Sequence, residues 1–144
     1  MNRLGRLLLP VIMAGVVFVL SGCAAHNPFF KKVENLPADK AVIYIYHTGG
    51  SRSLLFPIAI LANDKDVTAM KKGTYYAYVT NPGAIEFTAR YMGASSRVID
   101  ANAGQSYYLK VSIPRGLSLP PSLELVSPEA GEKEIANCKL IPEK

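Results

Sequence analysis

The chain has 144 residues, 49% hydrophobic and 19% charged, the proportions of an ordinary globular protein. With no Trp, two His and two Cys, it has little material for a zinc framework or a disulfide-stapled fold. The formal charge of +5 falls to +3 once Arg3 and Arg6 at the N-terminus are set aside, too thin an excess for a nucleic-acid-binding module.

Residues 1–22 have the three parts of a secretory leader: the basic Arg3 and Arg6, an apolar stretch over 7–20, and the small Ser21 and Gly22. As a helix the apolar stretch reaches only about 21 Å, short of the ~30 Å hydrocarbon core of a bilayer. Pro10 weakens it further as a membrane span. Leu20-Ser21-Gly22-Cys23 resembles the bacterial lipoprotein signal, in which the cysteine thiol takes a diacylglycerol and the chain is cut before it. That resemblance implies lipid attachment at Cys23, a signal peptide over 1–22, and membrane binding through N-terminal acyl chains. Several acyl chains, at ~0.8 kcal/mol per buried methylene, hold far more firmly than one myristoyl group. The same resemblance reads Ala24 as directing the protein to the outer membrane, facing the periplasm.

The remaining roughly 120 residues suffice for one core. Residues 23–38 read as the lipidated N-terminus and a flexible tether, rich in Asn, Pro, Lys and Glu around Phe29-Phe30. That aromatic pair suits either the lipid interface or packing on the domain. Residues 39–144 read as a β-sandwich domain. Strands are expected over 41–46, apolar on both faces, and 56–62, opening beside Pro57. Further strands follow near 67–70 and over 74–80, 84–91, 97–101, 105–113 and 122–126. Asn81-Pro82-Gly83 carries Pro and Gly where a type II turn needs them. Ser127-Pro128-Glu129 supplies an N-cap, a first-position Pro and an acid, predicting one short helix to about Asn137 despite Gly131. The expectation is a mainly β, antiparallel two-sheet sandwich of seven to eight short strands with a C-terminal helix. Without room for crossover helices, parallel pairing is not expected.

Taken in order, 41–46, Asn63-Asp64-Lys65, Lys72-Gly73-Thr74-Tyr75, Asn81-Pro82-Gly83, Gly104 with Tyr107-Tyr108-Leu109, and Glu134-Ile135 with Cys138-Lys139-Leu140 resemble the bacterial lipoproteins of domain of unknown function 2846. The resemblance spans residues 39–141. It implies a sandwich similar to those of the PEGA and carboxypeptidase-regulatory type, and it brings no activity or catalytic residues.

No catalytic or metal-binding set stands out from the residues, and no cofactor is expected. Asp64 and Asp66 share one turn but lack the further oxygen ligands of a calcium loop. His47, at a strand end, has no HExxH or paired Cys for company. Ser51, Ser53, Ser95 and Ser96 sit in no G-x-S-x-G elbow. Cys138, unpaired once Cys23 is a thioether, has helical spacing from Ile135 and reads as a small buried hydrophobe. Eight Tyr residues lie in or beside strands, and alternation puts Tyr44 on one face with Tyr46, and Tyr76 likewise with Tyr78. They form either an aromatic binding platform or, more simply, packing under the terminal helix.

Alternation of direction gathers the loops 47–55, 71–73, 92–96 and 114–121 at one end, expected away from the tether. Arg52, Lys71, Lys72 and Arg115 there are basic, and no residue is acidic. This end is the candidate partner-binding end, for an anionic envelope component or an envelope protein. The functional expectation is a monomeric, lipid-anchored envelope protein with a non-enzymatic binding or structural role. The alternatives are an adaptor subunit of a multiprotein envelope or secretion machine, and a small envelope hydrolase with a loop-built site.

Overall fold

A computed structural model describes residues 29–49, 56–115 and 119–142. Among these residues, nine strands form two sheets beside one helix. In chain order they are β1 (Ala41–His47), β2 (Ile58–Ala62), β3 (Lys65–Met70), β4 (Thr74–Thr80), β5 (Gly83–Arg90), β6 (Ala94–Ala101), β7 (Ser106–Ser112), β8 (Ser122–Val126), α1 (Pro128–Ile135) and β9 (Lys139–Leu140). The first sheet has the order β8-β7-β1-β4-β9 and the second β3-β2-β5-β6. The two-sheet sandwich with a C-terminal helix is therefore the architecture.

The first sheet is mixed rather than antiparallel. β1 pairs in parallel with β7, with Val42 opposite Ser106 and Tyr46 opposite Lys110, and β4 pairs in parallel with β9. Parallel neighbours need a long crossover, and expecting that crossover to be helical was the error. Here the second sheet supplies it, because the chain leaves β1, crosses to β2 and β3, returns for β4, and crosses again for β5 and β6 before reaching β7. Asn81-Pro82-Gly83 and 102–105 thus carry the chain between sheets.

Alternation along β1 divides its side chains between two cores. Ala41, Ile43 and Ile45 point inward with Leu109 and Val111 against Ile58, Ile60, Ile85, Phe87 and Ile99 of the second sheet. Val42, Tyr44 and Tyr46 point the other way, into a second core with Tyr75, Tyr108, Ile135 and Cys138. Every residue of β1 is buried, as an apolar strand covered on both faces must be.

Cover for the outer face comes from two pieces. An eight-residue helix is only about 12 Å long, whereas five strands at ~4.8 Å spacing span roughly 20 Å. The shortfall is made up by the segment preceding β1, whose Phe30, Val33 and Leu36 pack into the outer core. This corrects the expected tether over 23–38, because 29–38 belongs to the domain. Its polar composition concealed three apolar residues at a spacing of three. We call 29–38 the strap. It begins with a bridge between Phe29 and Lys139, beside the start of β4. It ends near Gly104, where the Gly104 amide donates to the Lys40 carbonyl at 2.7 Å.

Candidate functional site

The strand registers give the sandwich two distinct ends. At one, His47 at the end of β1 lies opposite Thr74, Ile58 opposite Met70, and Arg90 opposite Ala94. Among the described residues this loop end gathers 48–49, 56–57, 71–73, 91–93, 113–115 and 119–121, as alternation required. The opposite turn end holds 63–64, 81–83 and 102–105. Ser95 and Ser96 belong to β6, so the expected loop 92–96 shortens to 91–93. Their weak strand preference is overridden by pairing with β5, where the Ser96 and Thr88 hydroxyls lie 2.8 Å apart.

Lys71 and Lys72 sit on a turn that the backbone holds in place. Gly73, at φ 71°, turns the chain where a side chain would be strained. The Gly73 amide donates to the His47 carbonyl at 2.7 Å, and its carbonyl accepts from the Lys139 amide at 2.8 Å. The Thr74 hydroxyl donates to the Lys71 carbonyl at 2.7 Å, closing the turn from the other side. The 91–95 and 119–121 segments lean together: Ser95 donates to the Pro121 carbonyl, and Gly93 faces Pro120. Leu119 lines a depression of about 370 Å³ there, with Ser95, Pro114 and Pro120.

Lys71, Lys72 and Arg115 are all exposed at this end, as expected; Arg52 lies outside the described residues. Sequence reasoning missed the company they keep. Lys139 is exposed beside them, next to Thr74. Phe29, Phe56, Met92 and Leu119 expose 60%, 70%, 66% and 46% of their surface, all at this end. Phe56 was expected to open β2, but Pro57 withholds a backbone donor and the strand starts at Ile58. Among the described residues of these loops there is no Asp or Glu. The turn end has Asp39, Asp64, Asp66, Asp100 and Glu129, all exposed, against Lys40 and Lys65, and is acidic on balance.

One expectation about this end is overturned. It is not remote from the segment that leads toward the N-terminus, because Phe29 lies at the loop end beside Lys139 and the strap then runs down the outer face to Lys40. The two aromatic neighbours have different fates. Phe30 packs edge-on against Tyr44 and Tyr75, at 5.1 and 5.2 Å between ring centroids. Phe29 stays exposed, with the Lys139 ammonium 5.9 Å from its ring.

The Tyr stripe is covered. Tyr44, Tyr46, Tyr75 and Tyr108 are buried under the strap and α1, and Tyr78 faces the inner core. Their hydroxyls fasten the cover. Tyr44 accepts from the Val33 amide at 2.8 Å, and Tyr75 from the Lys31 amide at 3.3 Å. Tyr46 donates to Glu134 at 2.9 Å, and Tyr108 to Glu132 at 3.3 Å. Burial, with Glu134 beside it, pushes the Tyr46 hydroxyl far above its ordinary pKa. Hydrogen bonding from Lys110 holds the Glu134 carboxyl below the usual carboxylate range.

Cys138 is buried in the outer core, as its spacing indicated, and burial pushes its thiol pKa up. His47 shares the inward side of β1 with Ile43 and Ile45, so the first sheet separates it from Cys138. Asp64 and Asp66 are exposed at a hairpin whose Asn63 and Asp64 both have positive φ. Among the described residues no three His, Cys, Asp or Glu side chains are grouped to hold a metal ion. No helix among them is long and apolar enough to cross a membrane. Leu20, Ser21, Gly22, Cys23 and Ala24 lie outside the described residues.

His47 gives the domain a pH-dependent stability. Burial lowers its pKa, the hydrogen bond to the Val111 carbonyl at 2.8 Å opposes this, and Lys72 adds to the lowering. With its folded pKa below its unfolded one, His47 contributes stability above about pH 6.5 that is lost as pH falls through the folded value. Urea denaturation below about pH 6.5 should show stability falling by up to ~1.4 kcal/mol per pH unit, and His47→Gln should flatten that slope. A slope that survives the substitution would assign it to the carboxylates.

Compared with models of known protein families and with curated protein sequences, the chain matches none.

Proposed function

We propose that this protein is a lipid-anchored β-sandwich of the bacterial cell envelope with a non-enzymatic binding or structural role. The observation that carries the reading is Leu20-Ser21-Gly22-Cys23 at the end of an apolar stretch, with the folded domain starting at Phe29 only six residues later. An acyl anchor at Cys23 turns such a domain into a surface fixture. The loop end supplies a binding surface on a rigid scaffold, with the 71–73 turn held by hydrogen bonds to the strands beside it. The resemblance to the lipoproteins of domain of unknown function 2846 supports the same reading, and Ala24 supports the outer membrane as its address.

Mass spectrometry of the protein isolated from its native membrane tests the anchor. The N-terminal peptide is expected to begin at Cys23 and to carry diacylglycerol and an N-acyl chain. A peptide retaining 1–22, or one beginning at an unmodified Cys23, would overturn the reading.

A further inference from the structure

The loop end combines two kinds of exposed side chain. Phe29, Phe56, Met92 and Leu119 come from four separate segments of the chain, yet all stand at one end with between 46% and 70% of their surface open. Lys71, Lys72, Arg115 and Lys139 are exposed at the same end, with the Lys139 ammonium over the Phe29 ring. Apolar tips among basic side chains match a bilayer surface, where the tips enter the boundary between headgroups and acyl chains and the cations meet lipid phosphates. The flexible stems of Lys and Arg allow this, lying along apolar surface while their charges stay at headgroup level. The acidic turn end would be repelled by the same surface.

Chain length fixes which end meets the membrane. Six residue steps separate Cys23 from Phe29, and even fully extended they span at most about 21 Å. A seven-residue strand alone is roughly 23 Å long, and the turns lengthen the sandwich beyond that. With the turn end on the membrane, Phe29 would stand higher than this connection reaches. A chain anchored at Cys23 therefore brings the loop end down. We propose that the loop end is a bilayer-docking surface, with Phe56, Met92 and Leu119 entering an anionic leaflet and Lys71, Arg115 and Lys139 binding its headgroup phosphates. The orientation argument rests on the anchor proposed above; the surface chemistry does not.

Depth-dependent fluorescence quenching tests this on the full-length protein from its native membrane, reconstituted into vesicles of equal parts phosphatidylethanolamine and phosphatidylglycerol. A thiol-reactive fluorophore is placed on Leu119→Cys, on Met92→Cys and, at the turn end, on Asp64→Cys; buried Cys138 stays silent. Spin-labelled lipids are expected to quench the two loop-end probes and to leave the Asp64→Cys probe unquenched. Replacing phosphatidylglycerol by phosphatidylcholine should reduce loop-end quenching. So should raising ionic strength from ~0.1 to ~1 M, which shortens the Debye length from ~10 to ~3 Å. Lys71→Glu with Arg115→Glu should lower the docked fraction on the order of tenfold or more.

The mass of the N-terminal peptide from the same vesicles reads the anchor separately. If that peptide carries no acyl groups the anchor falls, and the probes are read again with Cys23→Ser, which leaves no N-terminal thiol to label; loop-end quenching there keeps the docking surface. Equal, weak quenching at both ends of an acylated chain would overturn the docking surface. So would loop-end probes that lipid leaves unquenched but added peptidoglycan or an envelope protein shields, because the surface would then serve another partner.

Discussion

Phe30→Ala is expected to lower the stability of the domain by about 2–3 kcal/mol, below the ~3–5 of a fully buried Phe because this ring is half-buried. The ring is the strap's main anchor, set edge-on to Tyr44 at 90° and to Tyr75 at 77°, with Tyr108 at 6.3 Å. Such aromatic pairs contribute ~0.5–1.5 kcal/mol beyond the area they bury. Between the Phe29 bridge at its start and the Gly104 amide on Lys40 just past its end, the strap rests on side chains, so its hold depends on them. Two of its amides, at Lys31 and Val33, reach only the hydroxyls of Tyr75 and Tyr44. Hydrogen exchange should therefore show both amides losing protection in Phe30→Ala, while the β1 ladder retains its own. Phe29→Ala, by contrast, removes an exposed ring and should stay within about 0.5 kcal/mol of the parent. Unaltered stability and unaltered Val33 protection in Phe30→Ala would return the strap to the role of a loose tether.

That contrast marks where the sequence could be read and where it could not. The strands 74–80 and 122–126 were legible to the residue, since Lys72-Gly73, Asn81-Pro82-Gly83 and Pro120-Pro121 bound them sharply. The double burial of β1 was legible because an unbroken apolar and aromatic run leaves no face for water. The strap was not, because three apolar residues among Lys, Glu, Asn and Pro have meaning only beside a sheet face that a short helix leaves bare. β9 was hidden for a similar reason: two residues carry no period, and only the pairing of Lys139 and Leu140 with Thr74 and Tyr75 makes them a strand. At the loop end the basic residues were legible as charge, and their clustering followed from strand parity. Met92 and Leu119 were not, because an exposed apolar residue looks the same in sequence as a buried one. The direction in which the strap enters the domain decides what that end faces, and no local pattern encodes it.

Gly131→Ala sets the two levels against each other. Helix propensity alone predicts stabilisation of about 1 kcal/mol, because Gly is the poorest ordinary residue in a helix interior. The structure predicts the opposite. Gly131 is buried on the face of α1 that meets the first sheet, and a β-carbon there would collide with the Tyr108 side chain. Tyr108 has nowhere to withdraw: it is 1% exposed, tilted against Tyr44 at 5.2 Å between ring centroids, and tied through its hydroxyl to Glu132 of the same helix. Relief would require α1 to lift, and the helix is fixed to the sheet at two further points. Glu134 takes hydrogen bonds from Tyr46 and Lys110, and Ile135 is sealed in the outer core. Overpacking of this kind costs ~1–3 kcal/mol, enough to outweigh the propensity gain. Gly131→Ala should therefore melt lower than the parent, with Cys138, at the far end of the helix, becoming more reactive toward thiol reagents as the cover loosens. Adding Tyr108→Leu, which removes the ring from beneath the new methyl, should make the alanine substitution less costly than it is alone. An alanine variant that melts higher than the parent would mean that α1 does not press on Tyr108, and that glycine is an accident of this helix rather than the condition for its close approach.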